Sequence, residues 1–152
     1  MISKAHTHNG TKIYIEKNAR DALQVLMDAA KEDGVYLTVN SGFRSYNYQM
    51  RIFTRMMREG RNYEDVIRYV APPGYSQHAL GTAIDFYPSN WEFAELLTYT
   101  WLQDNAWKYG FKETYPRINE SGYPWEAWHW NYIGNAHTAE NKAPGPAERP
   151  LQ

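Results

Sequence analysis

No cysteine occurs among the 152 residues of this chain. A disulfide scaffold, a Cys-ligated structural zinc and a thiol nucleophile are excluded together. Stability must come from an ordinary core, and a chain of this length buries about two thirds of its unfolded surface, enough for one domain without staples. The lack of cysteine leaves the redox compartment open. Charge narrows the field: 16 basic against 17 acidic residues give a net of −1. The chain as a whole is therefore not an electrostatic nucleic-acid binder. No run approaches the ~18 apolar residues of a membrane span. The opening MISKAHTHNGTK has no apolar stretch of the kind a signal peptide needs. Six Trp, thirteen Tyr and five Phe suit a wet groove, and equally an ordinary core.

Periodicity predicts a mixed fold. Ala19, Leu23, Leu26 and Ala30 form one helical stripe, with Asn18 as cap and Gly34 as stop. VYLTVNSGF alternates as a strand. A second helix is predicted from Tyr46 to Glu59 before Gly60, with Met50, Phe53 and Met57 as its apolar stripe. Asn62 caps a short third helix, and VAPPGYSQ is a loop. TAIDFY reads as a strand, and Asn90 opens one long helix or two abutting ones that close at Gly110. ETYPRINESGYPW reads as an exposed loop or hairpin, EAWHWNYI as a strand, and Asn135 as the start of a last short helix. The organisation is a flexible N-terminus (1–12), one domain (13–141) and a disordered Pro-rich tail (142–152).

Five histidines occur. His6 and His8 lie in the polar N-terminal stretch and read as solvated; His137 faces solvent or core in the last helix. His78 stands in SQHALGTAID, where a Pro/Gly loop enters a strand, and Asp85 follows on that strand. His129 stands in WEAWHW, with Glu126 three residues before it. Two imidazoles and a carboxylate are a common ligand set for a catalytic zinc that keeps an open position, and a nearby unligated Glu is the base such a site needs. A satisfied buried His–Asp hydrogen bond beside an aromatic strand accounts for the same spacing. HExxH, GxSxG and a Walker loop are absent, which removes the helix-borne zincin, the α/β-hydrolase and the P-loop enzyme. Arg44, in NSGFRSYNYQ, opens the second helix as a fixed fork for a carboxylate or an oxyanion, or as a plain surface arginine.

Taken together and in order, SGFRSYNYQ, SQHALGTAID, WLQDNAWKYGF and EAWHWNYIG resemble the zinc D-alanyl-D-alanine carboxypeptidase family. That family holds the VanY-type and LD-carboxypeptidase-like peptidoglycan peptidases. The resemblance spans about residues 13 to 140. It implies an α+β fold, a small and mainly antiparallel sheet with helices packed against it and zinc in a groove on the sheet. It implies Zn2+ held by His78, Asp85 and His129, with Glu126 as catalytic base. Arg44 matches the arginine that engages the substrate carboxylate or the developing oxyanion, and Gln49 and Ser76 match substrate-contacting positions. The implied reaction is removal of the terminal D-alanine from peptidoglycan stem peptides by a monomer with no nucleic-acid partner. The alternatives are an endopeptidase of the phage-lysin kind and a non-catalytic zinc-containing wall-binding module; a structural zinc gains nothing from Glu126. The expected location is the cell wall or periplasm, for an excised, exported or phage-encoded domain.

Overall fold

The computed structural model describes residues 1–120 and 122–134. The tail 142–152, the helix expected from Asn135 and His137 lie outside the described residues. Among the described residues, four α-helices and four short strands form an α+β fold. The helices are α1 (Lys17–Glu32), α2 (Tyr46–Arg58), α3 (Tyr63–Tyr69) and α4 (Leu97–Asn105). The strands are β1 (Val39–Ser41), β2 (Ala83–Phe86), β3 (Phe111–Glu113) and β4 (His129–Tyr132), in the order β1-β2-β4-β3 and all antiparallel.

Helix α1 buries the predicted stripe, Ala19, Leu23, Leu26 and Ala30, together with Met27. Its cap is Glu16 and not Asn18: the Glu16 carboxylate accepts the Ala19 N–H at 2.9 Å. The backbone N–H groups of Asn18 and Ala19 hold that carboxyl below its ordinary pKa. Opposite α1, the sheet presents Ile84, Phe86, Phe111 and Trp130 to one core shared with Phe93 and Leu102. Trp101 Nε1 donates to Asp33 Oδ2 at 2.8 Å and so fastens α4 to the end of α1. The long helical pattern after Asn90 splits into a 3-10 turn at Trp91–Glu95, α4, and a second 3-10 turn at Ala106–Tyr109.

Four local expectations are corrected. The predicted strand over residues 35–43 shrinks to Val39–Ser41, because only that part lies across β2, and its register shifts between Val39 and Ser41. Strand β3 is not expected from the sequence, which closes a helix at Gly110 and opens a loop or hairpin at Glu113, since three residues carry no alternation. In α2 only Gln49 is buried, while Met50 and Met57 are exposed; the helix rests on α3 through an edge contact of Phe53 on Tyr63, rings 5.9 Å apart, and has no core of its own beneath it. Residues 1–12, expected as a flexible stretch, touch the domain at two points. Ile2 is buried and its N–H donates to Ile13 O at 2.9 Å, and Thr7 bridges to Val39 on the outer side of β1. A single isoleucine in a polar stretch gives no periodicity, so the sequence carries no sign of this.

The segment 13–16 clasps the two loops that bear the site. Tyr14 O accepts from Phe43 N–H at 2.7 Å, and Glu16 N–H donates to Gly81 O at 2.8 Å. The clasp requires a glycine at position 42: an added Cβ would lie 2.7 Å from both Ile13 Cγ2 and Tyr14 O. Gly42→Ala is therefore expected to cost about 1–3 kcal/mol in urea unfolding, the usual range for overpacking. A cost under about 0.5 kcal/mol, the range of an ordinary surface change, would show that the clasp is not tight.

Candidate active site

Asp85 sits in the second-last position of β2, and β4 runs antiparallel beside it so that His129 is its direct partner. Directly opposed residues share a face of the sheet with Cβ atoms about 5 Å apart. That face is the one turned away from Ile84 and Trp130, which also oppose each other and belong to the core. Ser41 opposes Asp85 from β1 on the other side. His78 arrives from the 3-10 turn Gln77–Leu80 just before β2. The turn is capped by Ser76, whose Oγ accepts the His78 N–H at 3.3 Å, and ends at Gly81 with φ +74°. Glycine suits that left-handed position, and a Cβ there would also press on Glu16 N at 3.1 Å.

The three side chains converge. His78 Nε2 lies 3.2 Å from Asp85 Oδ2, and His129 Nδ1 lies 3.0 Å from Asp85 Oδ1. One donor atom from each falls within 4.8 Å of the others, and all three residues are buried. The remaining nitrogen of each ring is taken up by a protein oxygen: His78 Nδ1 donates to Gly42 O at 2.7 Å, and His129 Nε2 donates to Gln77 Oε1 at 3.1 Å. The nitrogen each ring turns to Asp85, Nε2 in His78 and Nδ1 in His129, is the one it can offer to a metal once it gives up its hydrogen. This His2Asp set, with both outer nitrogens occupied by second-layer acceptors, fits a tetrahedral divalent metal that keeps a fourth position open.

Electrostatics separates the two carboxylates. Burial pushes the Asp85 carboxyl up, but the His78 and His129 imidazoles more than reverse this and hold it well below the usual carboxylate range. Arg44 also pairs with Asp85 Oδ2 through Nη2, while its Nε donates to Ser41 Oγ at 3.0 Å. Glu126 behaves oppositely. Burial dominates and pushes its carboxyl up to about 7, with His129 pulling down and Asp85 pushing up. Its Oε2 lies 3.7 Å from His129 Nδ1. Three residues apart on an ideal strand, the two side chains would face opposite ways. Here β4 begins only at His129, and a turn precedes it in which His129 N–H donates to Glu126 O at 3.0 Å. That turn brings both side chains to one groove.

The groove encloses about 290 Å³ and runs between the cluster and the 67–72 segment. Arg44, Gln49 and Ser76 all line it. Gln49 is 2% exposed; its Nε2 donates to Ala71 O at 2.8 Å, and its buried Oε1 has no partner among the described residues. Every residue picked out around the loop and strand motifs is thus at one place. His6 and His8 do not line it, and His8 stacks on Tyr87 with ring centroids 3.8 Å apart. Sequence reasoning missed two groove residues. Tyr115 packs its ring 5.1 Å from that of His129 and accepts the Glu126 N–H on its carbonyl at 3.0 Å. Gln77 holds the outer nitrogen of His129. Neither lies in a periodic helix or strand; only the adjacency of Gln77 to His78 could have drawn attention to it.

The match to known proteins follows this geometry. Residues 12–135 match the family described as VanY: D-alanyl-D-alanine carboxypeptidase. The chain belongs to the VanY family. YodJ of Bacillus subtilis (strain 168) is 38% identical over 133 residues, which are 81% of this chain and 48% of that protein. The D-alanyl-D-alanine carboxypeptidase of Enterococcus faecium is 30% identical over 132 residues, 85% of this chain and 41% of that enzyme. The chain thus spans about half the length of the curated relatives it matches. Among solved structures, the LdcB LD-carboxypeptidase superposes with a TM-score of 0.77 at 36% identity, covering 83% of this chain and 62% of that one. A VanY D,D-pentapeptidase in complex with Zn(II) gives 0.68 at 31% identity, covering 83% and 76%. VanYB in complex with D-Alanine-D-Alanine gives 0.69 at 30% identity, covering 89% and 79%.

Within this VanY-family site, the raised pKa of Glu126 ties stability to pH. Its folded pKa lies above its ordinary value of 4.5, so its stabilising contribution is complete below about 4.5 and is lost as pH rises through about 7. In chelator, Glu126→Gln should therefore unfold at higher denaturant than the parent at pH 8, by on the order of 2 kcal/mol, with the gap closing toward pH 5. A gap that does not change with pH would contradict a buried, elevated carboxyl.

Proposed function

We propose that this chain is a zinc-dependent carboxypeptidase that removes the terminal D-alanine from peptidoglycan stem peptides, acting as a monomer. The observation that carries the reading is the pairing of a buried His2Asp cluster with a separate, elevated carboxyl on the same groove. Membership of the VanY family and the likeness to carboxypeptidases that bind Zn(II) and D-Ala-D-Ala support the substrate class. With that substrate, the site of action is the cell wall or periplasm. Among the described residues no helix is long and apolar enough to cross a membrane.

His78, Asp85 and His129 would hold the metal, which would supply Lewis acidity for the scissile carbonyl and for a nucleophilic water near neutral pH. Glu126 takes the proton from the attacking water. A carboxyl with a pKa near 7 is matched to that task, because it gains a proton at working pH and gives it up as readily. The same carboxyl then delivers the proton to the leaving amine. Arg44, anchored by Ser41 and Asp85, turns its guanidinium to the groove and holds anionic oxygen, either the substrate carboxylate or the developing oxyanion. Gln49 offers a buried acceptor, Oε1, to a substrate N–H, because its own N–H is already committed to Ala71. Ser76 lines the same wall and has its hydroxyl oriented by the His78 N–H.

The test is product analysis on defined penta- and tetrapeptide muropeptides. Loss of one alanine mass is expected, and the substrate that loses it distinguishes D,D- from L,D-cleavage. Cleavage inside the stem would replace the carboxypeptidase reading with an endopeptidase. Glu126→Gln should retain its zinc and fold but turn over about 10²–10⁴-fold more slowly, the usual worth of general acid–base catalysis. Full activity of Glu126→Gln at equal zinc occupancy would remove Glu126 from the mechanism. No turnover by the unaltered protein at full zinc would leave the binding-module reading.

A further inference from the structure

We infer that the outward face of α2 docks on an anionic lipid surface, its arginines on the headgroup phosphates and its methionines at the acyl boundary. This surface is separate from the catalytic groove, and the inference depends neither on the metal nor on the reaction.

Only Gln49 is buried along α2, and its side chain belongs to the groove wall. At about 3.6 residues per turn, Arg51 and Arg58 stand opposite Gln49, and Arg55 lies one turn from each. All three are exposed. The same geometry puts Tyr46, Met50 and Met57 on one stripe beside them. Those side chains are also turned to water, at 56%, 39% and 37% exposure. Met50, Arg51, Thr54, Arg55 and Arg58 together line a shallow depression of about 340 Å³. An apolar row edged by cations is the pattern of an interaction surface.

The cations on this face are not neutralised within the fold. Arg55 approaches Glu59 only to 3.9 Å, with both side chains largely exposed, a pair of little worth in water. Among the described residues neither Arg51 nor Arg58 has an acidic partner. Residues 46–61 hold four arginines and one acid in a chain whose net charge is −1. Positive charge is thus concentrated on this helix, which attracts an anionic partner.

The apolar row decides which partner. A soluble polyanion would engage the arginines and leave Tyr46, Met50 and Met57 in water. A bilayer containing anionic lipid serves both sets. The arginine stems lie along apolar surface with their heads among phosphates, the methionines enter the boundary region, and a tyrosine suits headgroup depth. Docked by this face, the helix keeps Gln49, and the groove it lines, turned from the bilayer.

The test is co-sedimentation of the 152-residue chain with two kinds of vesicle, phosphatidylcholine alone and an equal mixture with phosphatidylglycerol. Binding is expected to the mixture only, and it should fall as salt is raised. The triple variant Arg51→Gln, Arg55→Gln, Arg58→Gln should partition on the order of 100-fold more weakly, at roughly fivefold per cation. The double variant Met50→Ser, Met57→Ser keeps every charge and should lose about tenfold. Circular dichroism and the urea midpoint should match the parent in both, because neither variant touches a buried residue. If the triple variant unfolds, Arg58→Glu alone carries the test and should weaken binding about tenfold or more. Full vesicle binding by the methionine variant, with loss in the arginine variants, would make the contact purely electrostatic, assign the face to a soluble polyanion and overturn lipid docking. No binding by the parent, or binding that survives loss of the arginines, would overturn it outright.

Discussion

The register of β2 against β4 is the constraint on which the rest of the site depends. Asp85 and His129 are sequentially remote, yet direct cross-strand pairing puts both on one face. A slip of one residue would turn His129 into the core and bring Trp130 to the groove, since successive strand residues alternate faces. The same register is enforced from the other side by burial, because Ile84 and Trp130 oppose each other within the main core. Packing of apolar side chains thus fixes the geometry of polar ones. Strands of three and four residues suffice because α1 and α4 contribute to the core on one face and the 13–16 segment ties the two site loops together.

Burial is also what differentiates the two carboxylates. Asp85 is enclosed among His78, His129 and Arg44, and a buried charge is tolerable only when it is surrounded by such partners. Glu126 is half-buried without an equivalent set, so the proton is retained to a higher pH. Two acids on one groove thereby take distinct roles, one permanently anionic and one exchanging a proton near neutrality. A third buried acid, Glu113, does neither job. It opposes Trp130 in the sheet and accepts from Tyr99 Oη at 3.1 Å and Trp125 Nε1 at 2.9 Å. It thereby fixes the residue immediately before Glu126.

How much of this was legible in the sequence differs by level. The helix α1 stripe, the Asn62 cap and the strand around Asp85 follow from periodicity and capping chemistry, which act over a few residues. The docked N-terminus and β3 do not, because each depends on a partner segment distant in sequence: Ile2 finds Ile13, and Phe111 finds Tyr132 across the sheet. The apolar stripe of α2 misled for the converse reason, as periodicity cannot say whether anything lies beneath a helix. At the site, residue types and motif order pointed to His78, Asp85, His129 and Glu126, while spacing alone left a buried His–Asp bond equally open. The turn before β4 that brings Glu126 round was only a condition on the reading. Gln77 was invisible, since a glutamine beside a histidine means nothing until Thr114 and His129 are seen to converge on it.

The central claim is that one metal ion is held by three side chains brought together by this register. Equilibrium dialysis against zinc, with metal analysis of the retained protein, tests it most directly. About one zinc per chain is expected, with strongly weakened binding in each of His78→Ala, Asp85→Ala and His129→Ala, and full binding in His6→Ala and His8→Ala. Undiminished zinc in His129→Ala, or loss of zinc in His6→Ala, would contradict it.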